Sequence, residues 1–137
     1  MKRIPLLALA VLLAAACSSL TSTDVAFLPK LDPPRPGLDD VRLTGAFSGV
    51  LVVERGCVRL LGRTPSSLTT VLWHNETELH RDGSGYFLRN SLTGTRYQFG
   101  RPIAFGGGQA QQEWIERQYP EVAKRCGPPY ASGWLAE

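Results

Sequence analysis

Apolar and polar positions alternate along the middle of the chain. Val41, Leu43, Gly45, Phe47, Gly49, Leu51 and Val53 share one parity, with Arg42, Thr44 and Ser48 between them. A period of two over this length predicts a long half-buried strand, bent where the glycines fall. Arg55-Gly56 is a tight-turn signal, after which Cys57 to Leu61 returns as the second strand of a hairpin. Gly62 to Ser67, with Pro65, breaks the pattern, and the Thr- and Val-rich run Leu68 to Trp73 predicts a third strand. Asp82-Gly83-Ser84-Gly85 is a turn. Tyr86 to Arg89 and Arg96 to Phe99 flank a loop holding Thr93-Gly94 and predict another hairpin. Ile103 to Phe105 follows Arg101-Pro102 as one more short strand.

The period then changes. Ala110, Trp114, Ile115, Tyr119, Val122, Ala123 and Cys126 recur at steps of three and four, which predicts a helical face over about 110–126. Pro120 kinks that helix or splits it in two. Gly127 and Pro128-Pro129 stop it, and Tyr130 to Leu135 supplies a closing strand. Fourteen Gly and ten Pro among 137 residues favour short strands and turns over a helical bundle. The expected fold is mainly β (α+β): a small rolled antiparallel sheet or partly open β-barrel of six or seven short strands, with one late helix over an opening. The helix precedes the last strand, unlike the order in an OB-fold.

The N-terminus has a different pattern. Met1-Lys2-Arg3 is followed by an apolar stretch from Ile4 to Ala16 and then Cys17. Two positive charges before such a stretch form a secretory signal, too short to remain as a membrane span. Residues 18–40 carry Ser18, Ser19, Thr21, Ser22 and Thr23, then Pro29, Pro33, Pro34 and Pro36. They form a tether spanning about 26 Å as a flexible coil and up to roughly 70 Å if stiff. Within it, Val25 to Leu28 are apolar and can dock on the domain as an extra strand. The expected organisation is a signal peptide over 1–16, a tether over 17–40 and a β domain over 41–137. Without Lys2 and Arg3, 13 basic and 12 acidic residues remain, with no polybasic tract. That argues against nucleic acid as a partner.

Leu13-Ala14-Ala15-Ala16-Cys17 resembles the lipobox of bacterial lipoprotein precursors. Ala14 stands where leucine is usual. The resemblance implies lipidation of Cys17 on sulfur, attachment to the cell-envelope membrane and, in a Gram-negative envelope, the periplasmic face of the outer membrane. The alternative is ordinary cleavage after Ala14-Ala15-Ala16, giving a secreted chain. With Cys17 lipidated, Cys57 and Cys126 remain. In an oxidising envelope they are a disulfide pair or two separately buried thiols.

From Gly49-x-Leu51 through Gly56-Cys57, Val71-Leu72-Trp73, Asp82-Gly83, Thr93-Gly94 and Phe105 to Gly108 to the late Cys126, the domain is similar to small exported bacterial β-rich proteins. That resemblance implies no activity.

Candidate chemistry is sparse. His74, Glu76, Glu78 and His80 would share one face of an extended strand and could hold zinc or calcium, whereas a turn at Asn75-Glu76-Thr77 would scatter them. Gly106-Gly107-Gly108 could cradle an anion before the helix, or be a close turn from strand to helix. Ser66 and Ser67 lack the strand–turn–helix setting of an esterase nucleophile. Trp73 and Trp114 fit core faces, and Trp134 is either core or a partner anchor. With no convincing catalytic set and no cofactor motif, the leading expectation is a lipid-anchored, non-enzymatic envelope module that binds a protein or polymer. The alternatives are an inhibitor of a lysozyme- or protease-type hydrolase, and a metal-binding protein using His74 and His80.

Overall fold

A computed structural model describes residues 25–64 and 67–136. The expected signal segment, the lipobox-like run with Cys17, the first part of the expected tether and Ser66 lie outside the described residues. The elements are β1 (Gly45–Glu54), β2 (Cys57–Leu61), β3 (Leu68–Trp73), β4 (Thr77–Asp82), β5 (Gly85–Asn90), β6 (Arg96–Gln98), β7 (Pro102–Ala110), α1 (Gln112–Gln118), α2 (Pro120–Arg125) and β8 (Tyr130–Trp134). The fold is mainly β. Five strands close into a barrel in the order β1-β2-β3-β8-β7, and β4-β5-β6 form a separate three-stranded sheet.

The barrel closes through β8, which pairs parallel with β3 (Leu72 opposite Ser132) and antiparallel with β7 (Gly108 opposite Ser132). Counting barrel strands alone, the fifth lies between the third and fourth. This is a five-stranded Greek-key closure of the OB type. The helix position had argued against that order. In fact the helices lie between the fourth and fifth barrel strands, and the β4-β5-β6 sheet occupies the connection after the third.

Arg55 and Gly56 both take positive φ, 51° and 75°, in the two-residue turn between β1 and β2. That is the primed turn whose twist suits a hairpin. Trp73, Val71, Leu51, Leu60, Phe105 and Ala131 fill the barrel. Trp73 is fully buried, with its ring 4.7 Å from that of Phe105. The inner face of the small sheet adds Leu88, Leu79 and Tyr97 to the same core.

Three expectations are corrected, and one left open is decided. Of the two outcomes expected at Pro120, the split is the one seen, giving two short helices. The strand expected to end at Phe105 runs on through Gly106-Gly107-Gly108 to Ala110, so the glycines are strand residues and not a turn. Thr77–Asp82 is a strand of its own, which brings the described strands to eight against the expected six or seven. The strand expected from Val41 starts at Gly45, because residues 38–44 leave the barrel wall as a strap over its outside.

The tether is shorter than expected. β2 and β3 pair only through Leu60–Thr69 and Leu61–Leu68. Beyond that they part, and residues 26–31 occupy the gap. Phe27 N–H donates to Gly56 O (2.7 Å), and Val58 N–H donates to Phe27 O (2.9 Å). Trp73 N–H donates to Pro29 O (3.0 Å), and Leu31 N–H donates to Trp73 O (2.8 Å). This wedge satisfies backbone groups that the splayed strands would leave unpaired. Phe27 and Leu31 pack under the helices with Leu72, Ile115, Val122 and Tyr130. Cys57, at the start of β2, is disulfide-bonded to Cys126 after α2, with Cα atoms 5.6 Å apart. The bridge ties the helical pair to the barrel.

Candidate functional site

The outer face of β3, β8 and β7 is covered by two different pieces of chain, and a cleft stays open between them. Leu72, Ser132 and Gly108 lie side by side in register on this face. On one side α1 packs down through Ile115, which is fully buried. On the other the strap crosses the strands where they carry no side chain. Leu43 lies over Gly108, and the Trp134 ring lies over Gly106, so that a Cβ at either glycine would collide with them.

Polar contacts fasten the strap. Trp134 Nε1 donates to Leu43 O (3.0 Å), and the Arg42 guanidinium sits 5.6 Å from the Trp134 ring centre. Arg42 also pairs with Asp40 (2.9 Å) and with Glu76 Oε1 (2.7 Å). The Glu76 contact is close in distance but off the angle of a hydrogen bond. Asp40 Oδ1 in turn lies 3.3 Å from Nδ1 of the buried His74.

The resulting cleft has a volume of about 340 Å³. Leu31 comes from the wedge, Val41 and Leu43 from the strap, Leu72 and His74 from β3 and its end, Ala131 and Ser132 from β8, and Trp114 and Ile115 from α1. Gln109, Ala110 and Gln111 complete it. No acidic or basic side chain other than His74 lines it. Its rim is apolar and open to solvent: Val41 is 78% exposed, Leu43 44% and Trp114 42%. A volume in this range, with a few polar groups among apolar ones, is typical of ligand and anchor-residue pockets.

The four metal-competent residues do not come together. His74 directly follows β3, and a turn at Asn75-Glu76 comes next, closed by Thr77 N–H to His74 O at 3.0 Å. His74 and Glu76 therefore serve the strap, while Glu78 and His80 pair with each other on β4 at 2.8 Å. That hydrogen bond holds the Glu78 carboxyl below its ordinary range. Among the described residues no three potential metal ligands converge. Gly106 to Gly108 form no anion cradle, since strand pairing and the packing of Leu43 and Trp134 use them up. Ser67 donates to Thr64 O (2.8 Å) within its loop.

Of the tryptophans, Trp73 is core as expected. Trp114 is not, because it stands edge-on to Tyr119 at the cleft rim. Trp134 is half-buried and holds the strap. The strap itself went unread, since Leu38 to Asp40 look like tether and Val41 to Leu43 look like strand. The one signal is Val41, an isolated apolar residue between the charged Asp40 and Arg42.

No family model, curated protein or solved structure matches the chain.

Proposed function

We propose that the protein is an exported, lipid-anchored, non-enzymatic module of the cell envelope that docks a partner protein through the cleft between α1 and the strap. The observation that carries this reading is the cleft. It is a mostly apolar pocket with three exposed apolar side chains, Val41, Leu43 and Trp114, on a barrel stapled by a disulfide. Exposed apolar groups around a preformed pocket suit a partner that inserts one apolar anchor side chain. The lipobox-like run ending at Cys17 supports the anchor, and the Cys57–Cys126 bridge fits an oxidising compartment.

The test is a photo-crosslinking amino acid at position 114 of the full chain in its native envelope. A discrete adduct, lost when Val41→Asp or Leu43→Asp places a charge on the rim, is the expected result. Adducts that form equally with and without the rim charge would overturn the cleft as the docking point. Intact mass of the membrane-extracted chain tests the anchor. The expected species begins at Cys17 with added acyl mass.

A further inference from the structure

The chain enters the described body at Val25, and the point of entry is pinned. Besides the bonds of Phe27 to the β1–β2 turn, Ala26 N–H donates to the Tyr86 hydroxyl at 3.3 Å. From Cys17 to Val25 is a step of eight residues. It reaches at most about 28 Å when fully extended, and about 16 Å as a flexible coil. Docking of the wedge has taken up the rest of the tether. Whatever holds Cys17 therefore lies close to the face around Val25.

That face has a distinct chemistry. Val25, Val53, Arg55, Tyr86 and Arg125 border a shallow groove of about 360 Å³. Val25 is 72% and Val53 41% exposed. The Arg55 side chain is 87% exposed and the Arg125 side chain 53%. Arg81 lies over the Tyr86 ring (5.1 Å) and Arg125 over the Phe27 ring (4.6 Å). Two carboxylates, Glu54 and Glu121, pair with Arg55 and Arg125. Among the described residues of this face that leaves three guanidiniums against two acids, and both paired guanidiniums keep N–H groups beyond those bonds. Apolar tips and an amphipathic aromatic ringed by arginine match a lipid headgroup layer, where apolar groups reach the acyl boundary and guanidinium binds phosphate.

We propose that this face rests on the headgroups of the bilayer that holds the lipid on Cys17, with Arg55 and Arg125 on lipid phosphates and Val25 and Val53 directed toward the acyl boundary. The domain is then a membrane-seated body with a defined underside. This rests on the lipid-anchor reading.

The experiment uses the acylated full chain carrying Val53→Cys. With Cys57 and Cys126 bonded and the Cys17 sulfur acylated, the new cysteine is the one reactive thiol. It is labelled with a fluorophore, and the protein is placed in phosphatidylcholine–phosphatidylglycerol vesicles containing a nitroxide-headgroup lipid. The comparison is Leu92→Cys, at the exposed turn after β5, six residues along the chain from Tyr86. The expected result is quenching several-fold stronger at position 53 than at 92. Arg55→Glu with Arg125→Glu brings position 53 to the level of 92 while the folded β spectrum by circular dichroism is kept. If the double variant does not fold, Arg55→Glu alone is read, and a partial loss of quenching is expected. Equal quenching at 53 and 92 in wild-type background overturns the seating. A chain that labels at Cys17 and leaves the vesicles overturns the anchor itself, a visibly different outcome.

Discussion

The indole N–H of Trp134 donates to the carbonyl oxygen of Leu43 at 3.0 Å, joining the last barrel strand to the strap that forms one wall of the cleft. A neutral hydrogen bond of this kind contributes about 1 kcal/mol net. Trp134→Phe should lower unfolding free energy by about that amount. It should also speed hydrogen exchange at residues 41–44 while leaving β2 and β3 protected. Uniform deprotection would mean that the strap and barrel open as one unit.

Arg42 is the partner that the buried Glu76 carboxylate finds within ion-pair distance. Its removal strands that charge, which costs roughly 3 kcal/mol in a mostly buried setting. Arg42→Met should destabilise by about that much, and adding Glu76→Gln should restore most of the loss. A urea-unfolding double-mutant cycle reads the coupling. Near-additive losses would show that Glu76 does not depend on Arg42.

The Tyr130 hydroxyl is buried and has no hydrogen-bond partner. Burial pushes its pKa up, because the phenolate is costlier than the phenol away from water. The folded state thus favours the neutral form. The stability linked to it is complete below the ordinary tyrosine pKa of about 10 and is lost as pH rises beyond it. Tyr130→Phe should be neutral or slightly stabilising at pH 7, with a shallower loss of stability above about pH 10. Melting temperatures of both proteins across that range provide the check.

The acid side has the opposite sign. Glu78 is held below its ordinary pKa chiefly by the His80 hydrogen bond, and Asp82 chiefly by Arg96. Their contribution is present above ordinary carboxylate pKa values and fades as pH falls through the depressed ones. Both are solvent-exposed, so Asp82→Asn should flatten the acid limb of the stability curve only slightly. A large change in the acid midpoint would mean that the Asp82–Arg96 pair is more shielded than its exposure implies.

The Cys57–Cys126 bridge spans 69 residues. Chain-entropy reasoning gives such a closure about 4 kcal/mol as an upper figure. Reduction should shift the urea midpoint down by a large part of the total stability and release the helical pair first. Proteolysis near residues 118–120 in the reduced protein reads that order.

How much of this was legible in the residues depended on how local the cause was. The Arg55-Gly56 turn, the stop at Gly127, the hairpin around Thr93-Gly94 and the mainly β class all follow from short-range chemistry. Strand alternation and helical period placed most elements within a few residues. The misses came from long-range packing. Gly106 to Gly108 look like a turn until Leu43 and Trp134 are seen filling the space above them. Trp114 falls on an apolar helical period, yet the strap stops short of it and leaves it at a rim. The pairing of Asp40 with His74 joins residues 34 positions apart, and no spacing rule announces it.

The parallel pairing of β8 with β3 sets an order on biogenesis. Until residues 130–134 are in place, β3 and β7 each present an open row of backbone groups. The barrel therefore cannot close until β8 has joined β3 to β7. A stalled or clipped chain lacking those five residues would keep two sticky edges, the kind of template that invites aggregation. Closure thus hangs on a single event, the seating of β8 in its slot between β3 and β7.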